Sequence, residues 1–186
     1  MSRLARVISP TGFYHAISRG VNRSVIFEET SDYSMFLEIV KKCRNALDFE
    51  VFAYCLMSNH YHIIIKDPEN RLDIIFKKIN TTYAMYFNTK YERTGHLFQD
   101  RFKSEPILTD AQLLRTIAYI HRNPVKAGIC SDAAAYSFSS YNDMLWRSGD
   151  VLSPGIIDNI FCDDSNFLKI NGSDPENRKR SDPGRA

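Results

Sequence analysis

The residues best suited to chemistry are two histidines, His60 and His62, in the stretch Met57-Ser58-Asn59-His60-Tyr61-His62. The apolar residues around them predict two strands joined by a tight Ser-Asn turn, with the histidines opening the second strand. Side chains of a strand alternate between its two faces, so His60 and His62 share one face, with roughly 7 Å between their Cα atoms. Two imidazoles in this arrangement can converge on one metal ion.

By itself the histidine pair is a weak signal. Two hydrogen-bonded histidines on a half-exposed sheet face are the more frequent explanation of such a pattern. A catalytic divalent site also needs a third protein ligand and open positions for substrate oxygens.

A second set of polar residues stands on a predicted helix. Tyr119 and Asn123 are four positions apart and therefore share one helical face, in line with Arg115 and flanked by Arg122. Tyrosine can be a covalent nucleophile, and asparagine can ligate a hard metal through its carbonyl oxygen. This line of residues could point toward the histidines. The alternative is a tyrosine that only packs against the sheet, and composition alone favours that alternative.

The remaining sequence predicts the elements that position these residues. Strands are predicted at about residues 13–18, 51–57, 60–66 and 101–108, and helices at about 30–47, 72–87 and 110–123. Thr30 or Ser31 is the expected cap of the first helix, and Thr109 that of the third, where Gln112 completes the spacing of a capping box. Pro124 must end or kink the third helix. The order β-α-β-β-α-β-α predicts an α+β protein, a ferredoxin-like antiparallel sheet packed with helices.

Composition sets broad limits on function. The chain has 186 residues, with 44% hydrophobic and 25% charged residues, which is ordinary for a soluble globular protein. Its first residues lack the apolar core of a signal peptide and its apolar runs are too short for a transmembrane helix, so we expect a cytoplasmic protein without membrane contact. The four cysteines form no Cys-x-x-Cys pair, which argues against a zinc ribbon and a disulfide framework. A net charge of +2 does not by itself imply nucleic acid.

Three stretches in the same order resemble the REP-associated tyrosine transposases, within the single-tyrosine HUH transposase family of insertion sequences. They are Met57–His62, Gly95–Ser104 and Tyr119–Gly128. The resemblance covers roughly residues 10–142 and implies the same ferredoxin-like fold, of the HUH endonuclease type. Many members of the family have Pro where Ser58 stands here and Trp where Phe138 stands, and neither change touches a site residue.

The resemblance implies a metal-dependent tyrosine transposase. In the family pattern His60 and His62 hold Mg²⁺ or Mn²⁺, Asn123 takes the place of a third polar ligand, and Tyr119 is the nucleophile. Attack by Tyr119 on single-stranded DNA gives a 5′-phosphotyrosine and a free 3′-hydroxyl, and a later hydroxyl attack rejoins the DNA. The enzyme would thus be a site-specific single-stranded DNA endonuclease and strand transferase that acts on hairpins of palindromic repeat elements.

Basic and aromatic residues alternate near the second and third motifs, as in proteins that bind single-stranded nucleic acid. A solvated charged face explains them equally well. The expected DNA contacts are Arg19, Arg93, Gln99, Arg101, Lys103, Arg115 and Arg122.

Several alternatives stay open. A domesticated protein that binds hairpin DNA without cutting it is the second hypothesis, and an RNA-binding ferredoxin-like module is the third. His15, His96 and His121 are rival ligands that we leave outside the metal site. His15 could support a ligand from the neighbouring strand, whereas His121 should face away from Tyr119.

The expected domain organisation is a transposase domain at residues 1–145, a C-terminal packing segment at 146–170 and a disordered tail at 171–186. The expected location is the cytoplasm, with nucleoid association when the protein is bound to DNA. Whether the protein is a homodimer, and whether Tyr119 acts within its own subunit, is left open by the sequence.

Overall fold

The computed structural model describes residues 7–153 and 164–172, in which a four-stranded antiparallel sheet carries the histidines. The strands are β1 (Phe13–Arg19), β2 (Glu50–Met57), β3 (His60–Lys66) and β4 (Lys103–Pro106), in the spatial order β2-β3-β1-β4. The histidine strand β3 is therefore a central strand, with a hydrogen-bonded neighbour on each side. The predicted α+β class, an antiparallel sheet packed with helices, is confirmed.

Helices connect and cover the strands. They are α1 (Thr30–Leu47), α2 (Leu72–Lys90), α3 (Asp110–His121), α4 (Asn123–Lys126), α5 (Tyr141–Leu145) and α6 (Asp164–Asn171), with short 3₁₀ helices at Val21–Arg23 and Ala133–Ala135. Among the residues that the structure describes, no helix is long and apolar enough to cross a membrane.

The two faces of the sheet bury separate hydrophobic cores. Ile63 and Ile65 of β3 pack in one core with α1 and α2, whereas Ile64 packs in the other with α3, α5 and α6. All three side chains are almost completely buried, and burial of each contributes about 1.5–3 kcal/mol to folding. The alternation predicted for the histidine strand is therefore confirmed, and α3 lies on the same face as the histidines.

The strand register places two predicted DNA contacts on the histidine face. His60 is paired with Arg19 across β1 and β3, and His62 is paired with Ile17. Ile17 is in turn paired with Lys103 of β4. Directly paired residues point to the same side of an antiparallel sheet. Arg19, Lys103 and both histidines therefore belong to one face.

The beginning of α1 differs from the prediction. The N-cap is Glu29, and neither Thr30 nor Ser31 caps the helix. The side chain of Asp32, at the third helical position, accepts hydrogen bonds from the backbone N–H groups of Glu28 and Glu29 at 2.9 and 3.0 Å. The Asp32 carboxylate thus satisfies N–H groups that precede the helix, whereas the expected hydroxyl would have accepted from N–H groups inside its first turn.

The cap of α3 is confirmed in its main part. Thr109 Oγ1 accepts a hydrogen bond from the backbone N–H of Gln112 at 3.2 Å. The side chain of Gln112 reaches one residue further back than in a standard capping box, because its Oε1 accepts from the N–H of Leu108 at 2.9 Å.

Proline breaks the tyrosine helix where the sequence predicts a break. Helix α3 ends at His121, two residues earlier than the predicted end at Asn123. Asn123 instead begins the short helix α4, with Pro124 in its first turn, where a missing N–H costs little. Gly128, at a φ of +70°, follows α4 as the expected stop.

The last strand is shorter than the predicted segment 101–108, because β4 spans only Lys103–Pro106. Before β4, the chain makes a local contact with the end of β1. Phe98 and Gly20 form an isolated β-bridge, and the N–H of Gln99 donates a hydrogen bond to the carbonyl of Arg19. The chain then leaves the sheet until β4 begins. Beyond Pro106, one further backbone hydrogen bond, from the N–H of Ile107 to the carbonyl of Phe13 at 2.9 Å, joins the chain to β1. The alternation of apolar and polar residues in the sequence shows neither the beginning nor the end of β4.

The C-terminal segment contacts both sides of the sheet, since Val151 is buried in the core that contains α1 and α2 whereas α6 packs on the histidine side. Phe167 and Leu168 of α6 are buried in the core that contains α3. Asn171 is buried as well and belongs to α6, so the tail predicted from residue 171 starts too early. Residues 173–186 of that predicted tail lie outside the described residues. The domain boundary at residue 145 stays a prediction.

Candidate active site

The two histidines lie at the start of β3, where the strand leaves its turn. His62 is 4% exposed, and His60 is half-buried one step closer to the turn. Their ring centroids are 5.1 Å apart and the ring planes are nearly perpendicular, at 78°. Because His60 and His62 share one face of the sheet, as predicted, their rings are in contact.

A third histidine from the neighbouring strand supports His62. His15 Nε2 lies 2.9 Å from His62 Nδ1, within hydrogen-bond distance, and the rings stack with their centroids 5.1 Å apart. On the other side of the His15 ring, Nδ1 lies 3.9 Å from Glu105 Oε2 of β4. His15 lies in β1, the strand next to β3, as predicted. Nothing in the sequence indicated that Glu105 lies beside the His15 ring.

The turn before β3 holds His60. Asn59 Oδ1 lies 2.6 Å from His60 Nδ1, and Asn59 Nδ2 donates to the backbone carbonyl of Arg23 at 3.3 Å. Backbone groups hold the turn itself, since the carbonyl of Ser58 accepts from the N–H groups of Ile26 and Phe27 at 2.8 and 3.1 Å.

Burial keeps these imidazoles in the neutral form. Loss of contact with water lowers the pKa of His15 to about 4. The pKa of His60 falls to about 4 through burial and then through the nearby positive charge of Arg19. The pKa of His62 falls to about 3, mainly through burial and further through the neighbouring basic groups. At neutral pH each ring therefore keeps one unprotonated nitrogen, the form that binds metals.

Helix α3 brings Tyr119 over this group. Its ring centroid lies 5.8 Å from that of His62 and 6.2 Å from that of His15, and both contacts are edge-to-face. The apolar residues Ile117 and Ile120 are fully buried and anchor the helix on the sheet, while Tyr119 is 43% exposed. An exposed phenol beside buried histidines is accessible to a large substrate.

Asn123 lies close to Tyr119 along the chain but is turned toward its own helix. Its Nδ2 donates to the carbonyl of Tyr119 at 3.0 Å and to that of Ile120 at 3.5 Å. Among the described residues, no hydrogen bond joins the side chain of Asn123 to His60 or His62. Its role as a metal ligand stays a prediction, and only its Oδ1 could fill that role.

A lysine that the sequence did not indicate lies over the tyrosine. Lys126 Nζ is 4.7 Å from the centroid of the Tyr119 ring. Lys126 belongs to α4, after the Pro124 break, and stands seven positions beyond Tyr119 in the chain. The sequence predicts the helix break at Pro124, but it does not predict that Lys126 then lies over the Tyr119 ring.

A cleft of about 350 Å³ opens beside Tyr119, between α3 and the strands β1 and β4. Gln112, Arg115, Thr116 and Tyr119 line it from one face of the helix. It is also lined by His15, Ile17 and Glu105. Arg115, one of the predicted DNA contacts, therefore lies next to the nucleophile candidate.

The other predicted DNA contacts are spread over the surface. Gln99 and Arg101 line a larger groove of about 850 Å³ between α2 and the loop before β4. The guanidinium of Arg93 lies over the ring of Phe87, 5.4 Å from its centroid. Arg122 is exposed, near Gly172 at the end of α6. Arg19, Lys103 and Arg115 are thus the ones close to the histidines.

The remaining histidines lie apart from the site. His121 is completely buried on the α6 side of α3, where its ring bonds to Ser140 and Asn171, so its predicted orientation away from Tyr119 is confirmed. His96 is exposed in the loop that lines the larger groove. In residues 7–153 and 164–172, no group of three or more His, Cys, Asp or Glu side chains is arranged to hold a metal ion. A metal at His60 and His62 would therefore need ligands of another type.

Comparison with known proteins gives one matching family model and two similar proteins, one of them with a solved structure. A family model described as "Transposase IS200 like" matches residues 10–123. A Haemophilus influenzae protein described as a REP-associated tyrosine transposase is 29% identical over an alignment of 125 residues, and the match covers 60% of this chain and 70% of that protein. A solved structure of a REP-associated tyrosine transposase bound to a REP hairpin has a TM-score of 0.62 at 23% identity, over 82% of this chain and 94% of that chain. At that identity, the structural likeness supports the fold alone.

Proposed function

Because the chain belongs to the IS200-like transposase family, we propose that it nicks and rejoins single-stranded DNA at hairpins, with Tyr119 as the nucleophile. The observation that carries this proposal is the position of the Tyr119 ring, 5.8 Å from that of His62 on the histidine face of the sheet. Tyr119 is 43% exposed, so a large substrate can approach its ring while the ring keeps its contact with the histidines. The site thus combines a free hydroxyl with a pair of neutral imidazoles.

The substrate in this proposal is a hairpin formed by a palindromic repeat, with a single-stranded flank. The related transposase bound to a REP hairpin supports this substrate class. Around the site, Arg19 and Lys103 on the sheet and Arg115 on α3 supply positive charge for phosphates. The flank would pass through the cleft beside Tyr119.

The side chains present fit a divalent cation. Burial keeps His60 and His62 neutral at physiological pH, and neutral imidazole is the ligating form. Mg²⁺ or Mn²⁺ would be held by His60 and His62, with Asn123 Oδ1 as the third protein ligand. When bound, the cation polarises the scissile phosphate and stabilises charge on its oxygens.

Tyr119 carries the covalent chemistry. Its phenolic oxygen forms a bond to phosphorus while the bond from phosphorus to the 3′-oxygen breaks. The phenol loses its proton to solvent, and the departing 3′-oxygen gains one. The DNA that follows the nick is left on Tyr119 as a 5′-phosphotyrosine. A 3′-hydroxyl of another strand end then attacks the same phosphorus and frees the tyrosine, so the bond energy is conserved without a nucleotide cofactor.

The direct test is a denaturing gel with hairpin DNA labelled at its 3′ end, which stays on the protein after the nick. With Mn²⁺ the wild-type protein should form a slowly migrating covalent adduct. Tyr119→Phe should form none but should still shift the hairpin in a native gel, because only a hydroxyl is lost. Tyr86→Phe, which removes a hydroxyl on the opposite side of the sheet, is the matched control.

An adduct that persists in Tyr119→Phe would overturn the nucleophile. The double variant His60→Ala/His62→Ala should bind the hairpin without cutting it, at any Mn²⁺ concentration. If the wild-type protein itself shifts the hairpin but never nicks it, the chain is a hairpin-binding protein without cleavage activity, and the enzymatic proposal fails.

A further inference from the structure

Both site histidines are held by a hydrogen bond at the same ring atom. His60 Nδ1 lies 2.6 Å from Asn59 Oδ1, and His62 Nδ1 lies 2.9 Å from His15 Nε2. We propose that Asn59 and His15 are positioning residues that hold both rings in the tautomer with hydrogen on Nδ1 and a bare lone pair on Nε2. The inference rests on the proposed function, because it assigns roles around the same proposed metal ligands.

The orientation of Asn59 fixes the tautomer of His60. The Nδ2 group of Asn59 donates to the backbone carbonyl of Arg23 at 3.3 Å, and a carbonyl can only accept. The other end of the amide, Oδ1, therefore faces His60. Because Oδ1 is itself only an acceptor, the hydrogen of this contact belongs to His60 Nδ1. A neutral imidazole has a single N–H, so Nε2 of His60 is left bare.

The tautomer of His62 follows from two contacts of His15. The two nitrogens that meet, His15 Nε2 and His62 Nδ1, share one hydrogen, so one of them donates and the other accepts. His15 Nδ1 faces the carboxylate of Glu105 at 3.9 Å, which favours hydrogen on that nitrogen. His15 Nε2 is then the acceptor, and His62 Nδ1 is the donor. This leaves Nε2 of His62 bare as well.

Two bare Nε2 atoms on rings 5.1 Å apart are what a divalent cation requires of a histidine pair. A hydrogen bond at the opposite ring nitrogen fixes the orientation of a ligand ring and raises its basicity. This explains why asparagine stands directly before the first histidine. Without these partners, each imidazole would exchange between its two tautomers and lose part of its affinity for the metal.

Asn59 can be changed without loss of the turn. Its backbone carbonyl accepts from the N–H of Gly20 at 2.9 Å, and the carbonyl of Ser58 holds two further N–H groups. Asn59 is not among the described residues with positive φ, so alanine fits its backbone. His15 is buried, and its replacement carries a greater risk for folding. The Asn59 variants therefore keep the inference testable if the His15 variants fail to fold.

The first experiment reads the tautomers directly, in metal-free and DNA-free protein. Long-range ¹H–¹⁵N spectra of ¹⁵N-histidine protein distinguish protonated from bare ring nitrogens. We expect Nδ1–H and bare Nε2 for His60 and His62 in the wild type. Asn59→Ala should convert His60 to a mixture of tautomers and leave His62 unchanged, and His15→Leu should do the reverse. Ser58→Ala, a neighbouring change in the turn, should alter neither ring.

The second experiment measures Mn²⁺ affinity by titration calorimetry. Asn59→Ala and His15→Leu should each weaken Mn²⁺ binding about 10- to 100-fold, the usual effect of losing a partner of a metal ligand. Asn59→Asp and His15→Gln, which keep an acceptor oxygen in reach, should retain the wild-type tautomers and bind Mn²⁺ without that loss.

Protonated Nε2 in the wild-type rings, or an unchanged His60 tautomer in Asn59→Ala, would overturn the inference. The proposed function fails separately. Wild-type protein with the expected tautomers that binds Mn²⁺ but never forms an adduct would contradict the enzymatic proposal and leave the roles of Asn59 and His15 standing.

Discussion

Tyr119 and Lys126 form a pair whose chemistry can be tested at the level of single side chains. In the proposed reaction negative charge develops around the scissile phosphate, and a cation beside the tyrosine can stabilise that charge in the transition state. Lys126 Nζ, 4.7 Å from the ring centroid, supplies such a charge. A cation–π contact contributes about 0.5–2 kcal/mol, so Lys126→Met should slow adduct formation roughly 2- to 30-fold in single-turnover assays.

The matched control for this prediction is Lys126→Arg, which keeps the charge and should retain most of the rate. If hairpin binding weakens as much as the rate does, Lys126 contacts DNA phosphates and does not act on Tyr119.

Arg115 gives a second prediction at this scale. It lines the cleft beside Tyr119, whereas Arg93 lies over Phe87 away from the histidines. If the scissile strand runs through that cleft, Arg115→Ala should weaken hairpin binding and reduce the salt dependence of the binding constant by about one counterion. Arg93→Ala should change neither quantity. The measurement is fluorescence anisotropy over a series of salt concentrations. Equal slopes of the logarithm of the binding constant against that of the salt concentration for both variants would contradict a scissile strand in that cleft.

Single residues also show what the sequence could and could not predict. The shared face of His60 and His62 follows from strand periodicity and is confirmed. The bond from His15 to His62 depends on the register between β1 and β3, which pairs Ile17 with His62 and so sets His15 diagonally beside it. Register is decided by long-range packing, so the sequence could suggest His15 as a supporting residue but not the ring atoms that meet.

At the scale of elements, the tyrosine helix is held between the sheet and the C-terminal helix. His121, near the end of α3, is completely buried, and its Nδ1–H donates to Asn171 Oδ1 of α6 at 2.9 Å. Its Nε2 lies 2.9 Å from Ser140 Oγ. Asn171 Nδ2 donates to the carbonyl of Phe167, which fixes the amide orientation. This network joins three segments behind Tyr119.

Loss of this network should loosen α6. Asn171→Ala leaves the buried N–H of His121 without an acceptor, and an unsatisfied buried polar group costs about 1–3 kcal/mol. Urea unfolding should show that loss, and hydrogen exchange should show faster opening of α6 than of β3. Lys169→Ala, at an exposed position of the same helix, should stay within about 0.5 kcal/mol of the wild type. Equal stability of both variants would contradict the role of the network.

Element boundaries were predictable where a residue type dictates them. Thr109 and Pro124 mark the beginning and the end of α3 through a side-chain acceptor and a missing N–H, and both signals are local. The end of β4 and the placement of α6 depend on tertiary contacts. The segment before β4 follows the end of β1 for a few residues and then leaves it, which hydrophobic alternation cannot show.

For the whole molecule, the buried histidines predict how stability depends on pH. Burial lowers the pKa of His15, His60 and His121 to about 4 and that of His62 to about 3. In the unfolded chain these groups titrate near 6.5. Between about pH 6.5 and 4 the unfolded state therefore binds more protons, and stability must fall as the pH falls.

Urea unfolding at several pH values should show this loss begin below about pH 6.5 and continue to about pH 4. Thr94→Ala, which removes no ionisable group from the same exposed loop as His96, is the control and should leave the pH dependence unchanged. His121→Gln should make it shallower by about one proton, because one buried imidazole no longer titrates on unfolding. A free energy of unfolding that stays constant over this range would contradict the burial argument.

The arrangement of the site within one chain predicts how two inactive variants behave when mixed. In the structure Tyr119 of α3 lies 5.8 Å, ring to ring, from His62 of the same chain, so a single subunit can assemble nucleophile and histidines. Tyr119→Phe and His60→Ala/His62→Ala, refolded together, should then form no adduct on labelled hairpin DNA. If subunits instead exchanged their tyrosine helices, random pairing in a dimer would restore roughly a quarter of the wild-type adduct. Light scattering on the same mixture identifies any dimer, and recovered adduct would show that Tyr119 acts on the histidines of its partner.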